Sequence, residues 1–329
     1  MKKKILFNFW IPGELVKYLG DDFELVYPKE EIEGHFELGD VIPYLKEVNA
    51  VLIDGLPFDK STIDKAGPQF KVIGRHGVGC DAVDYRYAGK KGIAVVNTPQ
   101  TVTHPTAELA VTLLLDIARN VSRLDRTIRR NKKCMTPFSF SGGSVTVYGK
   151  TLGIIGFGRI GKAVGVKAKG LGLKVIYFDP IRASAAQEAE IGVKYVPLEE
   201  LLKTADFVTL HCPYVPENHH LINEKTLSLM KPSAFLVNAS RGKMVDEAAL
   251  TAALTNKTIA GAGLDVYEFE PEINQELIKL ENVVLAPHIG TWSWDTRLAM
   301  AKEALDGICA VLRGEDPPNV FNREFLIKE

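Results

Sequence analysis

Cysteine is scarce: Cys80, Cys134, Cys212 and Cys309 are the only four in 329 residues, with no C-x-x-C spacing and no nearby His-x-x-x-His. That excludes a zinc site of ordinary ligand spacing and a disulfide framework, and it suits thiols kept reduced in a cytosol. No metal is expected. Long apolar runs are missing too. The stretch behind Lys2-Lys3-Lys4 is interrupted at Asn8 and stops at Pro12, so it reads as a charged lead-in to a first strand, and no run is long enough to span a bilayer. Nor is there an excess of one charge. With 40 basic and 41 acidic side chains the formal net charge is -1, which leaves no overall field for gripping nucleic acid or an anionic membrane. Repeats and low-complexity segments are absent. A cytoplasmic protein that handles a small molecule is the expectation.

What is present points to a folded protein of two domains. Hydrophobic content of 46% and charged content of 25% are ordinary globular values, and 329 residues exceed what one core usually serves. Short aliphatic runs such as Ile5-Leu6-Phe7, Ala50-Val51-Leu52-Ile53, Leu152-Gly153-Ile154-Ile155, Phe207-Val208-Thr209-Leu210 and Phe235-Leu236-Val237 recur between amphipathic segments. Runs without strict alternation read as parallel strands buried on both faces, so the fold class is α/β, doubly wound. Apolar side chains at Ala110, Leu113, Leu114, Ile117, Ala118, Val121, Leu124 and Ile128 predict one long helix opening near Pro105. The basic cluster from Arg123 to Lys133 reads as a solvated helix end, since Asp125 interrupts it and no aromatic side chains are interleaved. It is followed by a Ser/Gly/Thr-rich stretch, Ser139 to Thr146, read as a connector, and a last helix is predicted from about Asp295 to Leu312.

The most informative motif is Gly156-Phe157-Gly158-Arg159-Ile160-Gly161, between a strand and the start of a helix. A strand, tight turn and helix bring backbone N–H groups and the positive end of the helix dipole against a pyrophosphate, with glycine where a side chain would block the approach. The second strand ends at Asp179, 23 residues after Gly156, where a carboxylate accepts hydrogen bonds from ribose hydroxyls. That carboxylate repels a 2′-phosphate, so NAD is expected over NADP. Arg182 is close enough in sequence to soften the preference.

Two further segments, Val237-Asn238-Ala239-Ser240-Arg241-Gly242-Lys243-Met244-Val245-Asp246-Glu247 and Gly263-Leu264-Asp265-Val266-Tyr267-Glu268-Phe269-Glu270-Pro271, precede Pro287-His288-Ile289-Gly290. With these the chain resembles the D-isomer-specific 2-hydroxyacid dehydrogenases over essentially its whole length. The resemblance implies that Arg241 binds the substrate carboxylate and polarises its 2-oxo group, a task suited to a permanently charged planar fork. It makes His288 the acid/base and Glu270 its carboxylate partner, which stabilises imidazolium. It further implies cofactor contacts from Thr106, the fingerprint residues Gly156, Gly158, Arg159, Ile160 and Gly161, then Asp179, Cys212, Pro213, Ala239, Ser240, Arg241, Asp265, His288 and Gly290. Asp265 would hold the nicotinamide carboxamide, with Thr106 near the same ring. In Arg75-His76-Gly77-Val78-Gly79, the Val78 and Gly79 amides would bind the substrate carboxylate. His76, His104, His211, His219 and His220 match no catalytic role and are expected to be structural.

The architecture so implied is a nucleotide-binding Rossmann domain, residues 99–296, inserted into a flavodoxin-like substrate domain made of residues 1–98 and 297–329, with hinges near Thr98 and Thr296 and closure over the substrate. A homodimer through the nucleotide domain is implied, using the Pro105 helix and the Lys132 to Val147 connector. The expected activity is NAD-dependent reduction of a small 2-oxo acid such as glyoxylate, hydroxypyruvate or pyruvate. An alternative is an NAD-sensing binding protein like the C-terminal-binding corepressors, which share the fold and the three residues; this chain carries no long disordered tail of their kind. Formate dehydrogenases have Gln where Glu270 stands. One departure from the family pattern is Thr291-Trp292-Ser293-Trp294, where small residues are common; the indoles narrow the substrate pocket or pack at an interface.

Overall fold

The structure, a computed structural model, describes residues 2–29, 34–134 and 143–327. It divides into two compact units, Met1–Val102 with Thr291–Glu329, and Thr103–Gly290.

The first unit has a sheet of parallel strands β1 (Lys3–Phe7), β2 (Phe23–Val26), β3 (Ala50–Ile53), β4 (Val72–Arg75) and β5 (Ala94–Val96), in the order β2-β1-β3-β4-β5. This is the flavodoxin-like order. Its central strands are buried on both faces because aliphatic side chains alternate between two cores. One of these is completed by the helix Trp294–Arg313, whose Ala301, Ala304, Leu305 and Ile308 lie on the strands of this unit. Gly74 makes that approach possible, since a Cβ there would overlap the Ile308 side chain. The last stretch of sequence is thus built into the first unit. Trp292 and Trp294 are 69% and 66% exposed, and Trp294 has its ring centroid 6.4 Å from that of Trp10.

The second unit has parallel strands β6 (Thr151–Ile155), β7 (Lys174–Phe178), β8 (Val193–Tyr195), β9 (Phe207–Leu210), β10 (Phe235–Asn238), β11 (Gly261–Leu264) and β12 (Val283–Leu285). Their order, β8-β7-β6-β9-β10-β11-β12, is that of a Rossmann sheet with one added strand, and it reverses between β6 and β9. The fold is therefore two parallel-sheet α/β units, the Rossmann unit lying within the sequence of the flavodoxin-like one. Helices Thr103–Arg119 and Arg159–Gly170 cover one face of the Rossmann sheet through Ala107, Ala110, Leu114 and Val164. Leu202, Leu227 and Leu250 help build the core on the other face.

The long helix expected from Pro105 through Ile128 is two helices, Thr103–Arg119 and Val121–Asn131. Asn120 stands between them at φ 57, a left-handed conformation that asparagine adopts more readily than most residues, and the turn redirects the chain. The apolar stripe does not continue around that corner. Val121, Leu124 and Ile128 are exposed, whereas Ala110, Leu113, Leu114, Ile117 and Ala118 are buried. Much of the predicted connector, Ser139 included, lies outside the described residues.

Candidate active site

Open parallel sheets bind ligands beyond the carboxyl ends of their strands where the order reverses. In the Rossmann unit that place is the end of β6 beside the end of β9, joined by the bond from the His211 amide to the Ile155 carbonyl, 2.7 Å. β6 runs into Gly156, whose φ is +91°. A Cβ there would sit 2.5 Å from the Cys212 nitrogen and 2.6 Å from the His211 carbonyl carbon, so only glycine closes this turn. At Gly161 a Cβ would overlap the Gly156 carbonyl oxygen, which is why the helix Arg159–Gly170 can start so close to the strand. Gly158, by contrast, is exposed and has no heavy atom within 4 Å of its would-be Cβ. Arg159 and Ile160 form the first turn behind it. Bare backbone at a helix N-terminus with open space in front fits the pyrophosphate of a dinucleotide.

Asp179 follows β7 directly. Its Oδ2 accepts from the Phe157 amide at 2.7 Å and its Oδ1 from the Ile181 amide at 2.8 Å, so the carboxylate is fixed against the glycine turn. Cys212 lies on the far side of the turn with its sulfur 3.3 Å from the Met244 sulfur. Burial pushes its thiol up to about 11, so it stays protonated near neutrality.

The loops after β10, β11 and β12 bring the charged residues together. Asn238, 1% exposed at the end of β10, donates to the Arg241 carbonyl at 3.0 Å and accepts from the Ser240 amide at 3.1 Å and hydroxyl at 2.9 Å. This folds Ala239-Ser240-Arg241 into one shape, and the half-buried Arg241 side chain donates to the Ser240 carbonyl at 2.7 Å. Gly242 lets the loop press onto the next one, since a Cβ there would overlap the Tyr267 carbonyl.

Asp265, 1% exposed just past β11, clamps the loop that follows β12. Its carbonyl accepts from the His288 amide at 2.8 Å, its Oδ1 from the Ile289 amide at 2.7 Å and its Oδ2 from the Gly290 amide at 3.0 Å. Those bonds hold His288 at φ 55°, a left-handed backbone that costs a non-glycine residue roughly 1–2 kcal/mol. A Cβ on Gly290 would come within 3.4 Å of Asp265 Oδ2 and 3.5 Å of Thr106 Oγ1, so Thr106, Asp265 and Gly290 share one corner.

His288 Nδ1 meets Glu270 Oε2 at 2.9 Å, and Glu270 Oε1 accepts from the Tyr267 amide at 2.9 Å. The Tyr267 hydroxyl in turn donates to the Ala286 carbonyl at 2.8 Å. The hydrogen bond to Glu270 raises the His288 pKa above the ordinary imidazole value, and burial works against it only in part. Burial alone would raise the Glu270 carboxyl, but the bonds from His288 and the Tyr267 amide and the charges of His288 and Arg241 bring it below its usual value. For Asp265 burial prevails and its pKa is raised, the Ile289 amide and the His288 charge offsetting only part.

Arg241, Glu270, His288, Asp265, Thr106 and Gly290 therefore converge in the Rossmann unit, on the edge that carries Gly156, Asp179 and Cys212. Val78 and Gly79 lie in the other unit, in the turn that ends β4. Gly77 there has φ +151°, and the turn is tied through its carbonyls by Thr98 N to Gly77 O at 3.1 Å and Asn97 Nδ2 to Val78 O at 2.9 Å. Among the other histidines, His76 packs on Phe9 with centroids 4.8 Å apart, and His220 bonds Glu268 at 2.6 Å. His211 is buried, and its burial lowers its pKa to about 3. Sequence reasoning does not single out Asn238 and Tyr267, although a buried polar side chain at a strand end and an aromatic hydroxyl inside a motif are the signals that mark them.

A Rossmann cradle beside an arginine and a carboxylate-held imidazole defines the site of a nicotinamide-dependent dehydrogenase. Residues 111–290 match the family profile described as D-isomer specific 2-hydroxyacid dehydrogenase, NAD binding domain. The chain is 43% identical to the glyoxylate reductase of Pyrococcus horikoshii over 332 residues, 99% of this chain and 98% of that one. Among solved structures, a protein from Thermus thermophilus superposes with TM-score 0.85 at 34% identity, covering 97% of this chain and 99% of the other. An NADPH-dependent glyoxylate/hydroxypyruvate reductase from Sinorhizobium meliloti, in complex with NADP and malonate, does so with TM-score 0.84 at 28% identity over 100% of both. The chain belongs to the D-isomer-specific 2-hydroxyacid dehydrogenase family. It is an oxidoreductase that uses a nicotinamide cofactor and acts on the CH–OH group of a small 2-hydroxy acid, and the corepressor alternative is not favoured. Among the described residues no helix is long and apolar enough to cross a membrane.

Proposed function

We propose that the chain is a cytoplasmic, homodimeric reductase of glyoxylate and its near relatives hydroxypyruvate and pyruvate, with NADH preferred over NADPH. The observation that carries the chemistry is the 2.9 Å bond from His288 to Glu270 in a site whose Arg241 charge acts on both. NADH, when bound, supplies the hydride that adds to the 2-oxo carbon. Arg241 binds the carboxylate of the substrate and draws electron density toward the oxo oxygen. Because Nδ1 of His288 is engaged by Glu270, Nε2 carries the proton that the oxygen takes up as its carbon is reduced. Glu270 keeps that proton in place near neutrality by stabilising the imidazolium. Thr106 and Asp265 face the nicotinamide carboxamide, and the Val78 and Gly79 amides give the first unit an anchor for a carboxylate.

The name shared by the Pyrococcus and Thermococcus relatives supports the substrate class. For the cofactor, Asp179 supports NADH, since its charge would lie beside a 2′-phosphate while its oxygens accept from ribose hydroxyls. The test is NADH and NADPH oxidation against a panel of 2-oxo acids with and without phosphate groups. Turnover of glyoxylate or hydroxypyruvate with a higher kcat/KM for NADH is expected. Equal kcat/KM for the two cofactors removes the role given to Asp179, and inactivity toward all unphosphorylated acids removes the substrate class.

A further inference from the structure

Arg182, three residues beyond Asp179, is the basic side chain nearest to it in sequence, and the structure shows it already occupied. Its Nε donates to Glu188 Oε1 at 2.8 Å and its Nη2 to Glu188 Oε2 at 2.9 Å, a parallel two-pronged pair. The guanidinium also lies 5.3 Å from the centre of the Tyr195 ring. The Glu188 end is fixed: its side chain is 13% exposed against 62% for Arg182, and Oε1 also accepts from the buried Tyr177 hydroxyl at 2.7 Å. That hydroxyl accepts from the Ala183 amide at 3.0 Å, and the Ser184 side chain caps the helix Ala185–Ile191 that carries Glu188. The Arg182 and Tyr177 bonds hold the Glu188 carboxyl down to about 2, so it is ionised throughout the neutral range. A pair with both prongs made and one partner fixed is stronger than ordinary surface ion pairs.

A 2′-phosphate beside Asp179 would need a cationic partner, and arginine is the side chain best shaped to provide one. We propose that Glu188 is a specificity-positioning residue, which by holding Arg182 denies a 2′-phosphate its counter-charge and keeps the site selective for NADH. The inference rests on the reading of Asp179 as the ribose carboxylate and adds to it a residue that touches no cofactor.

The test uses the full chain without cofactor and two probes, 5′-AMP and 2′,5′-ADP, which differ by the 2′-phosphate, with affinities from calorimetry. Glu188→Gln keeps the volume and one acceptor for Tyr177 but removes the charge and one prong. It should raise affinity for 2′,5′-ADP about tenfold relative to 5′-AMP, the scale of one charge-assisted contact. The gain should vanish in Arg182→Ala/Glu188→Gln. In the otherwise unaltered chain Arg182→Ala should leave the ratio where it was. No gain in Glu188→Gln, a gain that persists without Arg182, or a loss in Arg182→Ala alone each overturns the proposal. Asp179→Asn is expected to raise 2′,5′-ADP affinity with or without Arg182, so a failure of the Asp179 reading is distinguishable from a failure of the lock.

Discussion

Gly156 and Gly158 share one fingerprint, yet alanine should act on them in opposite ways. At Gly156 the φ of +91° costs an L-residue roughly 1–2 kcal/mol. The new Cβ, 2.5 Å from the Cys212 nitrogen and 2.6 Å from the His211 carbonyl carbon, meets backbone on both counts. Pushing the β6 turn and the β9 loop apart to ordinary contact distance is overpacking, worth roughly 1–3 kcal/mol more. Gly156→Ala is therefore expected to destabilise the cofactor-free protein by about 2–5 kcal/mol, enough to lower its melting temperature by at least about 4 °C. Gly158 has an ordinary φ of -74° and nothing within 4 Å of a Cβ, so Gly158→Ala should melt with the unaltered protein. Its methyl group instead enters the space assigned to the pyrophosphate, and NADH affinity should fall at least about tenfold, or about 1.4 kcal/mol. Melting curves and NADH titration of both variants separate the two effects. If Gly158→Ala bound NADH normally, the cradle would have to lie elsewhere. A Gly156→Ala protein with an unchanged melting temperature would refute the steric reading of that turn.

Three further outcomes follow from the site. Arg241→Lys should keep NADH affinity but lose most kcat/KM for the oxo acid, because an ammonium cannot replace the planar fork; near-normal efficiency would move the carboxylate clamp to another residue. Glu270→Gln removes the anion that raises the His288 pKa, so the imidazolium is lost at lower pH. Its pH–rate profile for reduction should have its basic limb displaced to lower pH, and a limb that stays in place would contradict the pairing. Tyr267→Phe leaves the Ala286 carbonyl without its 2.8 Å donor inside the protein. It should cost roughly 1–3 kcal/mol in chemical denaturation while NADH binding persists, and no loss would show that the bond contributes little.

Much of this was legible in the sequence because central parallel strands are apolar on both faces and glycine motifs have few structural meanings. β2 and β8 are hard to see for the converse reason. Each is the last strand at one edge of its sheet, and Phe23–Val26 and Val193–Tyr195 are short and only partly buried, so neither gives a continuous apolar run. The break at Asn120 is hidden because helical periodicity continues in the sequence on both sides of a single left-handed residue. In the candidate site, the sequence singles out Arg241, Glu270 and His288, which the structure brings together. What holds them is not legible there: the buried Asn238 that shapes the arginine loop, the Asp265 clamp on three successive amides, and the left-handed His288 backbone all depend on contacts between loops distant in sequence. The pairing of Arg182 with Glu188 belongs to the same group, since it depends on where a capped helix ends up rather than on any motif.

In the proposed mechanism His288 delivers the proton while other groups bind cofactor and substrate. The most direct measurement is single-turnover reduction of the best oxo acid by the His288→Asn chain preloaded with NADH, alongside a titration of NADH binding. The expected result is NADH affinity close to that of the unaltered protein and a reduction rate lower by roughly 10²–10⁴-fold, the usual worth of a positioned acid/base. A rate within a few-fold of the unaltered protein, with NADH bound equally well, would contradict the assignment of His288 as the proton donor.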